Sequence, residues 1–444
     1  MYPLTFGSIV SALTYASLML LAAGPSEAAP VRRAIPWPQD DPFYKPPSGY
    51  QRSAPGAILR TRTVSGPLTT LESYSLNYTN AWQILYRTTD ALGNAIATVT
   101  TLIEPKNPNP KKLLSYQVAE DSADEQCAPS YSLETNTNSS SPASPLDLIL
   151  IDAALNSGWY VSIPDYEGPH SVFTCGLTSG RGVLDSIRAV LATTKVSKLK
   201  STAGVILWGY SGGALATGWA AEIQPTYASE LKLLGAAMGG TPADLNATTN
   251  AVNKGPSAGL IPAGFLGLSQ QYPDLNAYLQ SQLLPATKAT FNDAATQCLG
   301  ADGTQFANQD IFSYFQPNFL NGAVAEKALK ENMMGKYKPE IPLYMYHSIN
   351  DEVVPFTPTQ ALVTKYCREG STIQFVEDSS TKHGSLAVVG ATDAFVWLTE
   401  RLNRTAVSSG CSNSTTSLSA VPASAATVFG PLIYGGLQAV LGGA

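Results

Sequence analysis

Short apolar runs separated by polar loops recur along most of the chain. Residues 61–104 alternate between apolar and polar positions and are broken by turns, which is typical of antiparallel strands. Later apolar runs are predicted to be buried strands, and they cover residues 113–118, 159–165, 205–208, 231–238, 341–347 and 373–376. The run at 373–376 is predicted to be the last strand. Between two of these runs, Val183, Ile187 and Val190 recur at helical spacing. Strands that alternate with helices predict an α/β fold with a mostly parallel sheet.

The alternation of strands and helices stops after residue 242. Residues 243–335 read as short helices and loops rich in large apolar side chains. An insertion of this length between two strands predicts a helical lid or cap, although a buried helical subdomain without a gating role fits the same pattern. The core would then have a first part over 34–242 and a second part over 336–411. For the tail, 412–444, a flap over the site, a disordered segment and a lipid-anchor signal all remain open.

The run at 205–208 ends in Gly209-Tyr210-Ser211-Gly212-Gly213, and small residues typical of a helix follow. The sequence G-x-S-x-G between a strand and a helix is the pattern of a nucleophile elbow, in which a serine lies on a tight turn. Side chains at the outer glycines would collide with the strand or helix that this turn brings close. An ordinary glycine-rich turn is the alternative, because the five residues alone are a weak signal. Their flanks favour a nucleophile at Ser211 in an α/β-hydrolase fold.

A serine hydroxyl needs a base to attack at neutral pH, and the chain has three histidines. His383 follows the run predicted as the last strand, where the α/β-hydrolase order of serine, acid and histidine places the base. His347 lies inside or at the end of a strand and is interpreted as a structural histidine. His170 precedes Ser211 and is therefore in the wrong order. The base is predicted to be His383.

The acid that orients this base should follow a strand that comes before the histidine in the chain. Asp351 follows the run at 341–347 within a few residues, although an aspartate there could equally cap a helix or a turn. Asp378 and Glu377 are the second choices, and Glu352 is the neighbour most easily confused with Asp351. Position along the chain favours Asp351.

Acyl transfer also needs N–H donors for the oxygen that becomes negative in the transition state. One donor in this fold is the backbone N–H after the nucleophile, here that of Gly212, and another comes from the loop after an earlier strand. The loop after 113–118 contains Asp121, which is chosen from its position alone, with a solvated surface acid as the alternative. Asp121 and Gly212 are the candidates for the oxyanion hole.

Composition and motifs exclude several classes of partner. Charged residues make up 14% of the 444 residues, the net charge is -6, and no patch rich in Lys and Arg occurs, so no nucleic-acid partner is expected. The chain lacks H-E-x-x-H and has no glycine-rich nucleotide-binding motif after a strand. We therefore expect neither a metal nor a cofactor.

The compartment is predicted from the amino terminus and the cysteines. Residues 1–28 read as a signal peptide with an apolar stretch and a cleavage site of small residues, whereas a membrane anchor is disfavoured by the breakers at 24–26. Five cysteines fit an oxidising compartment, with two disulfides and one free thiol as the simplest count. Five sequons are candidate glycosylation sites, at Asn77, Asn138, Asn246, Asn403 and Asn413. The protein is predicted to be secreted and extracellular.

With these residues in place, the chain resembles the fungal secretory lipases of the Candida antarctica lipase A type. The matching stretches lie in family order and span most of the mature chain, at Tyr116–Asp121, Cys127–Tyr131, Asp165–Gly168, Gly209–Gly213, Gly239–Pro242, Asp351–Pro355 and His383. The resemblance implies an α/β-hydrolase core with a helical lid inserted after the nucleophile. It also implies a triacylglycerol lipase or carboxylesterase that acts on acylglycerols or other apolar esters at a lipid–water interface.

The resemblance further implies roles for single residues. It assigns a catalytic triad to Ser211, Asp351 and His383. It assigns the oxyanion hole to Asp121 and Gly212. It pairs Cys127 with Cys298 and Cys367 with Cys411, which leaves Cys175 as a free thiol. Three other functions fit the residues, namely a short-chain esterase or acyltransferase, a non-catalytic lipid-binding protein of the same fold, and a serine peptidase. A monomer is expected, although the sequence leaves the oligomeric state open.

Overall fold

The computed structural model of the chain describes residues 35–64, 67–68, 76–134 and 144–442. The predicted signal peptide and the sequon at Asn138 lie outside these ranges. None of the helices within them combines the length and the apolar character that crossing a bilayer requires.

Ten strands of the described residues form one sheet. They are β1 (Ile58–Thr63), β2 (Tyr78–Thr89), β3 (Ala95–Pro105), β4 (Lys112–Gln117), β5 (Tyr160–Pro164), β6 (Gly204–Tyr210), β7 (Leu233–Gly239), β8 (Leu343–Ser348), β9 (Ile373–Asp378) and β10 (Cys411–Thr416). Their order across the sheet is β1-β2-β3-β5-β4-β6-β7-β8-β9-β10. The pairs β1–β2, β2–β3 and β3–β5 are antiparallel. The other six pairs of neighbouring strands are parallel. The predicted mostly parallel sheet is confirmed.

Helices follow β4 and each later strand along the described chain. They are α1 (Pro129–Ser132), α2 (Pro145–Asn156), α3 (Gly176–Leu191), α4 (Gly212–Tyr227), α5 (Leu245–Val252), α6 (Leu260–Gln271), α7 (Pro273–Gln282), α8 (Lys288–Asn292), α9 (Leu299–Phe306), α10 (Ala323–Glu331), α11 (Phe356–Arg368), α12 (His383–Val389), α13 (Ala391–Leu402), α14 (Ser424–Phe429) and α15 (Pro431–Gly442). Short turns of 3-10 helix occur at Tyr50–Arg52, Glu125–Cys127, Asp293–Thr296, Ile311–Tyr314 and Phe319–Asn321. The helix predicted from the spacing of Val183, Ile187 and Val190 is α3, and all three side chains are buried.

The side chains of β6 show that helices cover both faces of the sheet. Val205 and Leu207 belong to one buried cluster together with residues of α3 and α4. Ile206 and Trp208 belong to a second cluster together with residues of α2 and α13. Because successive side chains of a strand point to opposite faces, a strand covered on both sides needs an unbroken apolar run. The strand that leads to Ser211 is therefore a buried central one.

The prediction that the run at 373–376 is the last strand is wrong, because β10 follows it at the edge of the sheet. β10 pairs in parallel with β9, with Cys411 opposite Ile373. Its six residues are almost all exposed and none is a large apolar residue, so it shows no hydrophobic pattern. An edge strand with both faces in water is held by backbone hydrogen bonds, here together with the disulfide from Cys411 to Cys367 in α11.

The residues between β7 and β8 fold as α5–α10 with the 3-10 turns that lie between them. Aromatic side chains form their interior, where the rings of Phe315 and Phe319 stack with centroids 3.9 Å apart and Phe265 meets Phe319 edge-on. The helical character agrees with the pattern of the sequence. The limits 243–335 and the role as a lid stay predictions.

The carboxyl-terminal helices pack on the helices that cover the sheet. α15 contacts α2 and α12, and α14 contacts α13. Phe429, Ile433 and Leu437 are buried in the same cluster as Ile149 of α2. The tail is apolar at these positions because they face this layer. A flap over the site stays a prediction.

Candidate active site

Ser211 lies on a tight connection between β6 and α4. Its backbone has φ 54° and ψ -122°, a conformation that a residue with a side chain rarely adopts. The turn is compact because Gly209 and Gly213 have no side chains. A Cβ on Gly209 would collide with the carbonyl group of Gly213, and a Cβ on Gly213 would collide with the carbonyl oxygen of Gln117 in β4. The structure thus contains the strand–turn–helix elbow that the motif predicts.

The imidazole of His383 lies between Ser211 and Asp351. Its Nε2 is 3.0 Å from Ser211 Oγ, and its Nδ1 is 2.8 Å from Asp351 Oδ2. Asp351 follows β8, and His383 begins α12 after β9. Because the strands that precede these three residues are parallel, their carboxyl ends meet at one edge of the sheet. The structure therefore brings together the serine, the acid and the histidine that chain order predicts.

Asp351 has hydrogen bonds on both carboxylate oxygens. Oδ1 accepts from the backbone N–H groups of Val353, at 3.0 Å, and of Val354, at 2.7 Å. Burial by itself would raise the pKa of this fully enclosed carboxyl, but the hydrogen bond from His383, the nearby imidazoles and the N–H of Val354 hold the pKa below its usual value. An ionised Asp351 accepts from Nδ1–H of His383, which leaves Nε2 free to accept a proton from the serine.

The other two histidines do not contact the serine. His347 is buried, with Nε2 2.9 Å from the carbonyl oxygen of Val354 and 3.4 Å from Asp351 Oδ2. This buried position agrees with the structural role inferred for His347 from its place in a strand. His170 lies at the surface with Nδ1 3.0 Å from Glu125.

The second choices for the acid bind elsewhere. Asp378 Oδ1 accepts from the backbone N–H groups of Ser380 and Thr381 and thereby shapes the loop that leads to His383. Glu377 accepts from the side chain of Asn413 at 3.0 Å. Of the acids weighed from the sequence, Asp351 is the one that contacts the imidazole.

Asp121 follows β4 and lies against the elbow. Its backbone φ is 48°, and a Cβ on Gly212 would collide with its carboxyl group. The side chain is buried, and Oδ1 has no hydrogen-bond partner among the described residues. Burial raises the pKa of Asp121 to about 7; the nearby His383 opposes this shift, and Asp147 adds to it. The structure thus brings both candidates for the oxyanion hole next to Ser211.

A narrow cavity of about 60 Å³ opens beside Ser211. Asp121, Thr174, Ser211 and Gly212 line it on the side of the sheet. Helices α5, α6 and α10 line the other side with residues that are mostly apolar, including Leu245, Val252, Leu260, Ile261, Phe265 and Leu329. An apolar lining that ends at a reactive hydroxyl suits an acyl group whose carbonyl carbon lies at that hydroxyl.

Two contacts of the histidine were not predicted from the sequence. The hydroxyl of Tyr210 donates to the carbonyl oxygen of His383, and Glu352 accepts from its backbone N–H. Chain position shows only that Tyr210 precedes Ser211 and that Glu352 follows Asp351, and no sequence pattern indicates the contacts themselves.

The structure contains both disulfides that the resemblance implies. Cys127–Cys298 joins the segment after Asp121 to the residue that precedes α9, across 171 residues of chain, and Cys367–Cys411 joins α11 to β10. Cys175 is a buried free thiol. Among the four sequons in the described residues, Asn77 is half-buried. The other three asparagines are exposed, namely Asn246, Asn403 and Asn413. Their glycosylation stays a prediction.

A mostly parallel sheet with a serine on a strand-to-helix elbow defines an α/β hydrolase. The sequence model of the secretory lipase family matches residues 133–410. Lipase A of Arthroderma benhamiae is 40% identical over 413 residues, which cover 91% of this chain and 88% of that protein. Lipase 1 of Candida albicans is 39% identical over 387 residues, which cover 84% and 82%. The chain belongs to the secretory lipase family and is an ester hydrolase.

Solved structures agree with this assignment. Candida antarctica lipase A superposes with a TM-score of 0.84 at 31% identity, over 92% of this chain and 96% of that one. The rice cell wall degrading esterase LipA of Xanthomonas oryzae superposes with a TM-score of 0.60 over 79% and 97%, and at 18% identity it shares the fold alone.

Proposed function

We propose that the chain hydrolyses triacylglycerols and other apolar acyl esters through an acyl-serine intermediate. Ser211 is the nucleophile, His383 the general base and Asp351 the acid that orients the base. The observation that carries this proposal is the position of the imidazole, with Nε2 3.0 Å from the serine hydroxyl and Nδ1 2.8 Å from the carboxylate. The lipase relatives support the class of substrate.

In the first half of the reaction, His383 Nε2 takes the proton of Ser211 while Oγ bonds to the carbonyl carbon of the ester. The imidazolium that forms is stabilised by Asp351 across Nδ1–H. It then gives its proton to the leaving alcohol oxygen as the carbon–oxygen bond breaks. In the second half, the same nitrogen takes a proton from water, the hydroxide oxygen attacks the acyl-enzyme, and the fatty acid leaves as Ser211 regains its proton.

The oxygen that becomes negative lies beside Gly212 and the loop of Asp121 in this proposal. Donors aimed at such an oxygen are worth about 3 kcal/mol each in comparable sites. The raised pKa of Asp121 supports a neutral carboxylic acid below about pH 7, which adds no negative charge next to the developing oxyanion.

The acyl chain occupies the apolar side of the cavity, and α5, α6 and α10 form its cap. Movement of this cap would expose apolar side chains such as Leu260 and Phe265, which favours binding at a lipid–water interface. We also propose export, with residues 1–28 removed as a signal peptide. The two disulfides support an oxidising, extracellular location.

The Ser211→Ala variant tests this function. It should lose activity towards p-nitrophenyl butyrate and tributyrin by up to about 10⁶-fold, because no other group can form the acyl-enzyme. It should also fail to react with a fluorophosphonate probe that labels the wild type. Ser281→Ala is the matched control, since Ser281 lies exposed on α7 and away from the cavity. Undiminished hydrolysis by pure, folded Ser211→Ala would remove the proposal.

A further inference from the structure

His383 is held by its backbone as well as by its ring. The backbone N–H donates to Glu352 Oε2 at 3.1 Å, and the carbonyl oxygen accepts from the hydroxyl of Tyr210 at 2.7 Å. The partners are neighbours in sequence of the residues that the ring contacts. Tyr210 directly precedes Ser211, and Glu352 directly follows Asp351. The nucleophile loop (Tyr210 and Ser211) and the acid loop (Asp351 and Glu352) therefore each contact the histidine twice.

We infer that Tyr210 and Glu352 form a backbone clamp, and that they are positioning residues that hold the imidazole of His383 between Ser211 and Asp351. The inference rests on the function proposed above, since it assigns no new reaction. It explains why two polar side chains next to the reacting groups bind the backbone on either side of His383.

The place of His383 in its helix shows what the clamp supplies. His383 is the first residue of α12, and its N–H belongs to the first turn, where no carbonyl of the same helix can accept it. Glu352 provides that acceptor from the acid loop. The preceding N–H, that of Lys382, is accepted by Ser385 within the helix itself, whereas the bond to Glu352 joins the first turn to the acid loop.

The ring of Tyr210 also lies beside the imidazole of His383. The two rings are 5.2 Å apart, centre to centre, at an angle of 56°. Gly240 closes the space behind them, with a backbone φ of 53°. A Cβ there would lie 2.8 Å from His383 Cε1 and 2.9 Å from the Tyr210 ring. Burial raises the pKa of the Tyr210 hydroxyl well above its usual value, so that it stays a donor at any pH at which the enzyme works.

The clamp matters for rate because proton transfer depends on the distance between Nε2 and Oγ. A displacement of 1 Å in a reacting group can lower the rate by about 100-fold, whereas binding of the acyl chain depends on the cavity and not on the imidazole. Loss of the clamp should therefore lower kcat and leave KM nearly unchanged.

Two substitutions remove one contact each. Tyr210→Phe keeps the ring beside the imidazole and deletes the donor, and Glu352→Ala deletes the acceptor. Each should lower kcat for p-nitrophenyl butyrate on the order of tenfold, slow labelling by a fluorophosphonate to a similar extent and change KM less than about twofold. Glu352→Gln keeps an acceptor oxygen and should restore most of the rate.

Matched controls separate positioning from general stability. Tyr86→Phe removes a buried hydroxyl that also donates to a backbone carbonyl, that of Gly182 at 2.8 Å, but far along the sheet from the site. Glu377→Gln changes a carboxylate that contacts Asn413 and not His383. Both controls should keep kcat, even where they lower the melting temperature as much as the clamp variants do.

The outcomes distinguish the clamp from the function on which it rests. If Tyr210→Phe and Glu352→Ala both keep kcat within about twofold while Ser211→Ala is inactive, the clamp is wrong and the triad stands. An active Ser211→Ala variant would remove the triad itself. Tyr210→Phe changes one atom and carries the test alone if Glu352→Ala does not fold.

Discussion

The cavity beside Ser211 has a side built by the sheet and a side built by helices, and different contacts hold the two. On the sheet side, each residue of the proposed triad follows a strand and has directed hydrogen bonds, as in the two backbone N–H bonds to Asp351 and the bond of Ser211 N–H to the carbonyl of Gly239. On the helical side, Leu245, Ile261 and their neighbours pack through apolar surfaces.

This difference matters because the two kinds of contact specify different quantities. A hydrogen bond fixes a distance and a direction between two atoms, whereas apolar packing fixes a volume and tolerates a change of shape. We therefore expect substitutions on the sheet side to change the rate of the chemical step. Substitutions on the helical side should change which acyl chain is accepted. The predictions below test this division, and they run from the largest effect to the smallest.

Replacing the acid of the proposed triad should have the largest effect. Asp351→Asn keeps the size of the side chain but removes the charge that orients and stabilises the imidazole, so kcat should fall by roughly 10³–10⁴-fold. Steady-state kinetics with p-nitrophenyl butyrate would measure it. Glu377→Gln is the control, because Glu377 contacts Asn413 and not the imidazole. If the control lost the activity and Asp351→Asn kept it, the acid would have to be reassigned.

Chain order predicts the sheet side well for a physical reason. Ser211, Asp351 and His383 each come shortly after a strand, and parallel strands present those ends at one edge, so a correct list of strands already brings the residues together. The elbow could be predicted because its outer glycines are required by close approach, which shows in the sequence as G-x-S-x-G.

Other features left no pattern that could be read. β10 is polar throughout, because an edge strand in water is held by its backbone, and backbone bonds do not select side chains. The contacts of Tyr210 and Glu352 with the backbone of His383 depend on how two loops approach a third, which spacing along the chain does not encode. The pairing of the cysteines came from resemblance to a family and not from their spacing.

Charge at Asp121 should set an intermediate effect that depends on pH. Burial raises the pKa of its carboxyl from the usual 3.8 to about 7. The folded protein therefore keeps the proton on this carboxyl up to a higher pH than the unfolded chain does. The stability from this proton is complete below about pH 4 and is lost as the pH rises towards about 7, with an upper limit of about 4 kcal/mol. Asp121→Asn cannot ionise and should gain stability relative to the wild type over this range.

Urea unfolding of both proteins at pH 4, 6 and 8 measures this difference. The activity should follow, because an ionised Asp121 above about pH 7 repels the developing oxyanion and the amide does not. The exposed Asp274→Asn on α7 is the control and should parallel the wild type. Stability curves that stay parallel for wild type and Asp121→Asn would show that the carboxyl is not held neutral.

The smallest effect is expected on the helical side, at Thr249 of α5. This half-buried residue lines the cavity among apolar neighbours, and a long acyl chain that covers it must displace water from its hydroxyl. Thr249→Val keeps the shape and removes that penalty, so kcat/KM for a decanoate ester should rise by roughly threefold while that for a butyrate ester stays the same. Thr304→Val on α9, outside the cavity, should change neither. An equal change for both esters would mean that Thr249 acts on the chemical step, and the division between the two sides of the cavity would fail at this residue.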